Sequence, residues 1–355
     1  MVQLQYLPVG VQGAVKLDEV RAEFAAIEFP FADEQSHPDR NAVLAARSTI
    51  QSAVVDNEFL ADCIALELKL ISATGFPRGL TPFLTIPDLG IRFAFGYWPP
   101  GGTPGPHEHI AWTITAVCRN ELEVQTFDRA ESYRRRELVP KNHFSAVAGR
   151  VGYIYEPSIH APINTSADWS VSLHVSSPRG GEPIEDCAEL AGLSTPRRRR
   201  LPPSTDPYSR VVATRARTQR VHVLARALAG MNVAAVPRLL DECAALGSHS
   251  TRKLAARTRG GTTALDERGA YVLRRTHPDL MLSRRIVGDT VALMTETTAG
   301  PVEDLAMNVV AADAIAYAAK EPLFDARDLP GRITDEERIL IAEALEDSGL
   351  FTREA

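Results

Sequence analysis

The hydrophobic rhythm of the chain changes several times along its length. Residues 17–72 carry helical patterns: in Leu17–Ile27 and again in Glu58–Ile71, apolar residues return every three or four positions, the spacing that lines one face of an α-helix. From about Thr81 to Ser177 the spacing shortens. Runs rich in apolar and β-branched residues, Ile91–Tyr97, Ala111–Val117 and Leu122–Phe127, are separated by Gly, Pro and Asn turns, with Arg119 and Asn120 at the turn between the last two. This predicts an all-β, antiparallel double-sheet barrel whose inner face can hold functional side chains, with the N-terminal helices packed outside it.

The stretch from Pro178 to Pro207 is rich in Pro and Gly, contains four consecutive arginines from Arg197 to Arg200, and predicts a linker. Beyond it, residues 208–258 predict helices with a basic surface. Ala270–Arg275, Leu280–Val287 and Thr290–Thr295 predict strands, with Gly288 and Asp289 as a hairpin turn. Val302–Ala319 and Asp335–Ser348 return to helical spacing, the second capped by Thr334 with Glu337 three residues on. The expected organisation is therefore a barrel with N-terminal helices over 1–180, a linker over 181–207, and an α+β, winged-helix-like module over 208–355.

Composition narrows the function classes. At 355 residues two domains are expected, and a formal charge of −6 argues against a chain built wholly for nucleic acid. The charge is uneven: residues 206–285 hold fifteen Lys or Arg against six Asp or Glu, whereas 286–355 hold five against fifteen. Such halves suit internal packing, a head-to-tail homodimer, or capture of an acidic peptide or carrier, and nucleic acid is not an expected partner. The cysteines, Cys63, Cys118, Cys187 and Cys243, lie far apart without a Cys-x-x-Cys pair, which predicts neither a zinc cluster nor a disulfide framework. No apolar run reaches the roughly eighteen residues of a membrane span, and no basic region precedes a long apolar core at the N-terminus. A cytoplasmic protein without a membrane partner is expected. No phosphate-binding glycine loop follows a strand.

Candidate chemistry lies in the barrel segment. His107 and His109 flank Glu108 just after the turn-rich segment Trp98–Pro106, and His160 follows about fifty residues later, with Asn164 beyond it. Imidazoles at i and i+2 of a strand share one face, so both can reach one ion, and a third from a distant strand completes a facial set with positions left open. Three neutral nitrogens with open positions suit a redox metal, Fe(II) first, although imidazole also serves Zn, Cu and Ni.

These residues carry a resemblance to the cupin superfamily. His107, His109, His160 and Asn164 match its two motifs, and Asn120 stands near the position of a turn glycine. The family's Glu after the His pair is absent, since Ile110, Ala111, Trp112, Thr113 and Ile114 follow His109. That loss is similar to the three-histidine thiol dioxygenases of the cysteine dioxygenase type. Trp98, nine residues before His107, and the pair Ser172 and His174 in Val171–Pro178 also match this branch. The resemblance implies a cupin double-stranded β-helix holding Fe(II), with Ser172 and His174 as an outer hydrogen-bond pair and Trp98 in the pocket.

Two departures qualify it. Ser176 stands where the branch has a tyrosine, and Ile114 where it has the cysteine that can cross-link to that tyrosine. No such cross-link is expected, and water, Tyr97, Tyr153 or Tyr155 could replace the lost hydroxyl in a roomier pocket. The arginine that grips the substrate carboxylate in this branch is matched by Thr81, leaving Arg78 and Arg92 as candidates. Alternation puts Arg92, Ala94, Gly96 and Trp98 on one face, with room beside Arg92 at the two small residues; an exposed arginine on the barrel surface is the other reading.

The function expected is an oxygenase that oxidises the sulfur of cysteine or a cysteine-derived thiol with O2, in a standard or a specialised biosynthetic variant. Its rivals are a metal-dependent cupin isomerase or hydrolase that does not use O2, and a ligand-sensing cupin regulator.

Overall fold

The computed structural model describes residues 15–27, 40–75, 80–109, 112–154, 158–176, 183–184, 190, 206–260 and 271–354. The chain divides into two compact units. One comprises 1–70, 77–197 and 231–236, the other 71–76, 198–230 and 237–355. Most of the expected linker, including Arg197–Arg200, lies outside the described residues.

The first unit opens with helices α1 (Val15–Ala26), α2 (Arg40–Ala53) and α3 (Asn57–Thr74). Leu17, Val20 and Phe24 of α1, and Val43, Ala46 and Ile50 of α2, recur at helical spacing and are buried, which is the burial the sequence pattern predicts. Among the described residues ten strands follow: β1 (Leu84–Ile86), β2 (Ile91–Trp98), β3 (His107–His109), β4 (Thr113–Arg119), β5 (Glu121–Phe127), β6 (Pro140–Val147), β7 (Val151–Ile154), β8 (Ser158–Ile163), β9 (Ser170–Ser176) and β10 (Pro183–Ile184). They form two five-stranded antiparallel sheets, ordered β1-β2-β9-β4-β7 and β10-β3-β8-β5-β6. Antiparallel sheets of this kind beside helices are consistent with a cupin β-barrel. A short helix, α4 (Arg129–Arg135), connects β5 to β6.

The first sheet has two distinct faces. Phe93 meets Phe24 of α1 edge-on at 5.9 Å, and the Tyr97 hydroxyl donates to Glu67 of α3 at 3.0 Å, so the aromatic face of β2 is turned to the helices. The alternate residues Arg92, Ala94, Gly96 and Trp98 face the other way, as the pleat requires. The β4–β5 turn at Asn120 adopts φ 60°, a left-handed conformation that Asn tolerates.

In the second unit come α5 (Pro207–Leu228), α6 (Val236–Leu246), α7 (His249–Thr258), β11 (Val272–Arg275), β12 (Leu282–Val287), β13 (Thr290–Thr297), β14 (Gly300–Asn308), α8 (Ala312–Lys320), β15 (Leu323–Asp325), α9 (Asp335–Asp347) and β16 (Phe351–Arg353). The β12–β13 hairpin turns at Gly288 and Asp289, and Thr334 and Glu337 form the expected capping box. The strands make two three-stranded sheets, β15-β11-β16 and β12-β13-β14, over a core that includes Leu273, Leu293, Ile315, Leu345 and Phe351. The unit is α+β, but these elements do not establish a winged helix.

One expectation fails here. Val302–Ala319 is not one helix: its first part is β14, and only Ala312–Lys320 is α-helical. The cause is a β-bulge. Val302 pairs with Thr295, Glu303 with Met294 and Leu305 with Leu293, which leaves Asp304 as an extra residue. An extra residue breaks the two-residue alternation, so Val302 and Leu305 stand three apart and mimic a helical stripe.

Candidate metal centre

His107 and His160 are directly paired across β3 and β8, with Glu108 opposite Ile159 and His109 opposite Ser158. The two imidazole rings lie with centroids 4.3 Å apart and planes at 54°. The Nδ1 of His107 lies 3.0 Å from the Gly105 carbonyl, and that of His160 lies 3.4 Å from the Ser158 carbonyl. A carbonyl only accepts, so Nδ1 of His107 carries the proton and Nε2 keeps the lone pair, the tautomer that a metal ligand needs. Burial pushes His107 below the ordinary imidazole value of 6.5, against a smaller opposing pull from the Gly105 carbonyl, and this also favours the neutral, ligating form.

The donor set thus fits a divalent metal at the two imidazoles described. The His109 side chain lies outside the described residues, and among the described residues no three His, Cys, Asp or Glu side chains gather to hold an ion.

The loops beside the pair are joined through Asn164, which is fully buried. Its amide nitrogen donates to the Trp98 carbonyl at 2.9 Å and the Asp168 carbonyl at 2.7 Å. Its backbone exchanges bonds with Gly101 and Gly102, at 2.8 and 3.1 Å. The turn that precedes His107 and the end of the strand that carries His160 are therefore one hydrogen-bonded piece. Gly101, at φ 70°, supplies the left-handed residue this turn needs.

The other sheet carries a second polar cluster, on the face turned away from the helices. The Trp98 indole N–H donates to Ser172 Oγ at 2.8 Å, Ser172 Oγ lies 2.8 Å from His174 Nε2, and His174 Nδ1 lies 3.4 Å from Thr115 Oγ1. An indole can only donate, so Ser172 accepts from Trp98 and has its own proton to give to a neutral His174. His174 is thus held by protein groups at both ring nitrogens.

In the neighbouring row of the same face, Arg92 pairs in register with Ser176, which pairs in turn with Thr113. Arg78, the other carboxylate-binding candidate, lies outside the described residues. The room expected beside Arg92 is filled at Gly96: a Cβ there would stand 2.8 Å from both His174 Nε2 and Ser172 Oγ, and 3.1 Å from the Trp98 indole nitrogen.

The suggested replacements for the missing tyrosine are also corrected. Tyr97 is turned to α3, and Tyr153 pairs with Ile114 in the helix-facing row and lies under Arg47 of α2 at 5.9 Å, so neither reaches the polar face. Tyr155 is outside the described residues. Ile114, at the position matched to the cross-linking cysteine, is fully buried in that same helix-facing row, opposite Val175. Burial pushes the Cys118 thiol up to about 12, so it stays protonated at neutral pH.

Sequence reasoning assigned no role to Glu108 or Thr115, and gave Gly96 a different one, although all three shape the site. Glu108 is fully buried and forms an ion pair with Arg129 of α4, while the Tyr133 hydroxyl donates to its other oxygen at 2.9 Å. Gly96 and Thr115 complete the surroundings of His174. A glycine inside an aromatic strand is itself a sign of close approach and could have marked position 96.

No protein-family model matches the chain, and no curated protein matches it. Among solved structures, it is similar to an oxalate oxidase in complex with the substrate analogue glycolate, at 22% identity and TM-score 0.24 over 27% of this chain and 46% of that one. It is also similar to the formate complex of Lactobacillus farciminis oxalate decarboxylase, at 22% identity and TM-score 0.23 over 27% of this chain and 26% of that one. A third is Bacillus subtilis oxalate decarboxylase, described with Mn(II) centres, at 18% identity and TM-score 0.23 over 27% and 23%. The chain spans less than half the length of each. Likeness this slight decides neither metal nor substrate. Among the described residues no helix is long and apolar enough to cross a membrane.

Proposed function

We propose that the first unit is a metal-dependent cupin-type oxygenase that binds Fe(II) through His107, His109 and His160 and oxidises the sulfur of cysteine or a cysteine-derived thiol. The observation that carries the metal part is the cross-strand pair His107 and His160, with His107 held as the tautomer whose Nε2 is the lone-pair nitrogen. The thiol part rests on the match to the cysteine dioxygenase branch at Trp98, Ser172 and His174, three residues that share one hydrogen-bond chain.

When bound, Fe(II) supplies Lewis acidity that lowers a thiol's pKa and redox chemistry with O2. The overall change adds both oxygen atoms to sulfur, from RSH and O2 to RSO2H. The chain's own residues do the binding and aiming. Arg92, on the same face as His174, binds the substrate carboxylate by its planar fork of donors. Trp98 and Ser172 fix the His174 ring from one side and Thr115 from the other, so that its imidazole is an oriented polar wall beside the substrate. Ser176 leaves space in the row of Arg92 for a side chain or a water.

The test begins with metal content after anaerobic reconstitution. About one iron per chain is expected, and His107→Ala should lose most of it without unfolding. Cysteine added without oxygen should then perturb the iron spectrum, and oxygen should yield a product heavier by two oxygen atoms. Full iron occupancy in His107→Ala overturns the site. Iron binding without oxygen uptake in the presence of thiols favours a cupin isomerase or hydrolase instead.

A further inference from the structure

The strand that carries His107 and His109 has only three residues, with three register pairs to β8 and two to β10. A ladder this short gives weak control over rotation of the strand about its own axis. Rotation is what decides where the His107 side chain aims. Glu108, the next residue, projects to the opposite face by alternation and is fully buried there.

A buried carboxylate is tolerated only when it is well partnered, and both of its oxygens are taken by one helix. Arg129 of α4 forms an ion pair with Oε1, and the Tyr133 hydroxyl donates to Oε2 at 2.9 Å. The Arg129 guanidinium lies over the Tyr133 ring at 5.1 Å, so the two partners also hold each other. The helix is itself fixed: Asp128 caps its first turn by accepting from the Glu131 N–H at 2.9 Å, and Ser132 Oγ accepts from the Val139 N–H at 3.0 Å, just before β6.

From this geometry we infer that Glu108, gripped by Arg129 and Tyr133, is the positioning residue that sets the rotation of the His-x-His strand and so aims the His107 imidazole toward that of His160. The inference rests on the metal-centre reading. It assigns the β5–β6 connection a role in metal affinity, although no residue of α4 is a ligand.

Two variants test it: Tyr133→Phe, which removes one bond and keeps the ion pair, and Glu108→Gln combined with Arg129→Met, which leaves no charge unpaired. The readouts are anaerobic Fe(II) affinity, the absorption bands of the Co(II)-loaded protein, and the ring-to-ring nuclear Overhauser contact of His107 and His160 in metal-free protein. Each variant should weaken Fe(II) binding by about 10- to 100-fold and shift the Co(II) bands, as loss of outer partners of ligands does, with circular dichroism unchanged. Wild-type affinity and unshifted bands in folded variants would overturn the clamp and leave the metal centre standing. If the wild-type protein binds neither metal, the metal-centre reading fails, and the ring contact decides the clamp: lost in the variants it stands, kept it falls. Should the double variant not fold, Tyr133→Phe decides alone.

Discussion

At the scale of the residue, small changes in side-chain volume separate this site from a generic barrel wall. Gly96 is the clearest case. Its missing Cβ leaves the space in which Trp98, Ser172 and His174 meet, with distances of 2.8–3.1 Å from where that Cβ would stand. Gly96→Ala should therefore displace the ring of His174 and destabilise the protein by about 1–3 kcal/mol, the usual cost of overpacking. Metal content should stay at the wild-type level, because the histidine pair belongs to the other sheet. Denaturant unfolding and metal analysis check both halves, and unchanged stability would show that the chain of hydrogen bonds has slack.

Much of this scale was legible in advance. His107 and His160 lie on strands and Asn164 at a turn, where the strand and turn patterns put them, and Ser172 and His174 are hydrogen-bonded, with Trp98 joined to Ser172. Glu108 was visible as a letter and not as a role, because its partners sit more than twenty residues away in α4. Tyr97 and Tyr153 failed for a local reason: odd and even positions of a strand face opposite ways, and both fall in the helix-facing set.

Among the elements, turns do as much as strands. The β4–β5 turn places Asn120 at φ 60°, and its side-chain amide donates to Ser166 Oγ and, at 3.2 Å, to the Asp168 carbonyl. Asn120→Gly keeps the backbone geometry and loses those bonds, which should cost about 1 kcal/mol. Asn120→Ala loses the same bonds and adds the penalty of a Cβ in the left-handed region, so it should be less stable than the glycine variant by about 1 kcal/mol. Urea unfolding of the pair gives the order directly; an alanine variant as stable as the glycine variant would mean that the turn has rearranged. The bulge at Asp304 makes the complementary point, since one extra residue turned a strand pattern into an apparent helix.

For the whole molecule, part of the uneven charge is answered inside the second unit. Arg215 pairs with Asp304 at 2.6 Å, Arg252 with Glu346 at 2.5 Å, Arg285 with Glu303 at 2.5 Å, and Arg274 with Glu354, each joining the basic segment to the acidic one. These four pairs are internal packing, one of the three expected uses of that charge. The pairs should differ sharply in weight. The Asp304 side chain is fully buried and also accepts from the Tyr208 hydroxyl at 2.9 Å, so Asp304→Ala strands a partly buried arginine and should cost roughly 3–5 kcal/mol. Glu303→Ala breaks an exposed pair and should cost less than about 1 kcal/mol. Chemical denaturation of the two neighbouring variants measures the contrast, and equal losses would contradict the burial argument.

Sequence by itself determined the change of rhythm from helix to strand, the hairpin at Gly288 and the cap at Thr334. Each depends on periodicity, turn chemistry or spacing, which are properties of neighbours along the chain. Tertiary structure alone decided that Glu108 is held by α4, that Gly96 gives up its space to His174, and that Asp304 is the extra residue of a bulge. These depend on which distant segments share a face, and that is set by packing across sheets and helices, where nearness in space has no counterpart in sequence distance.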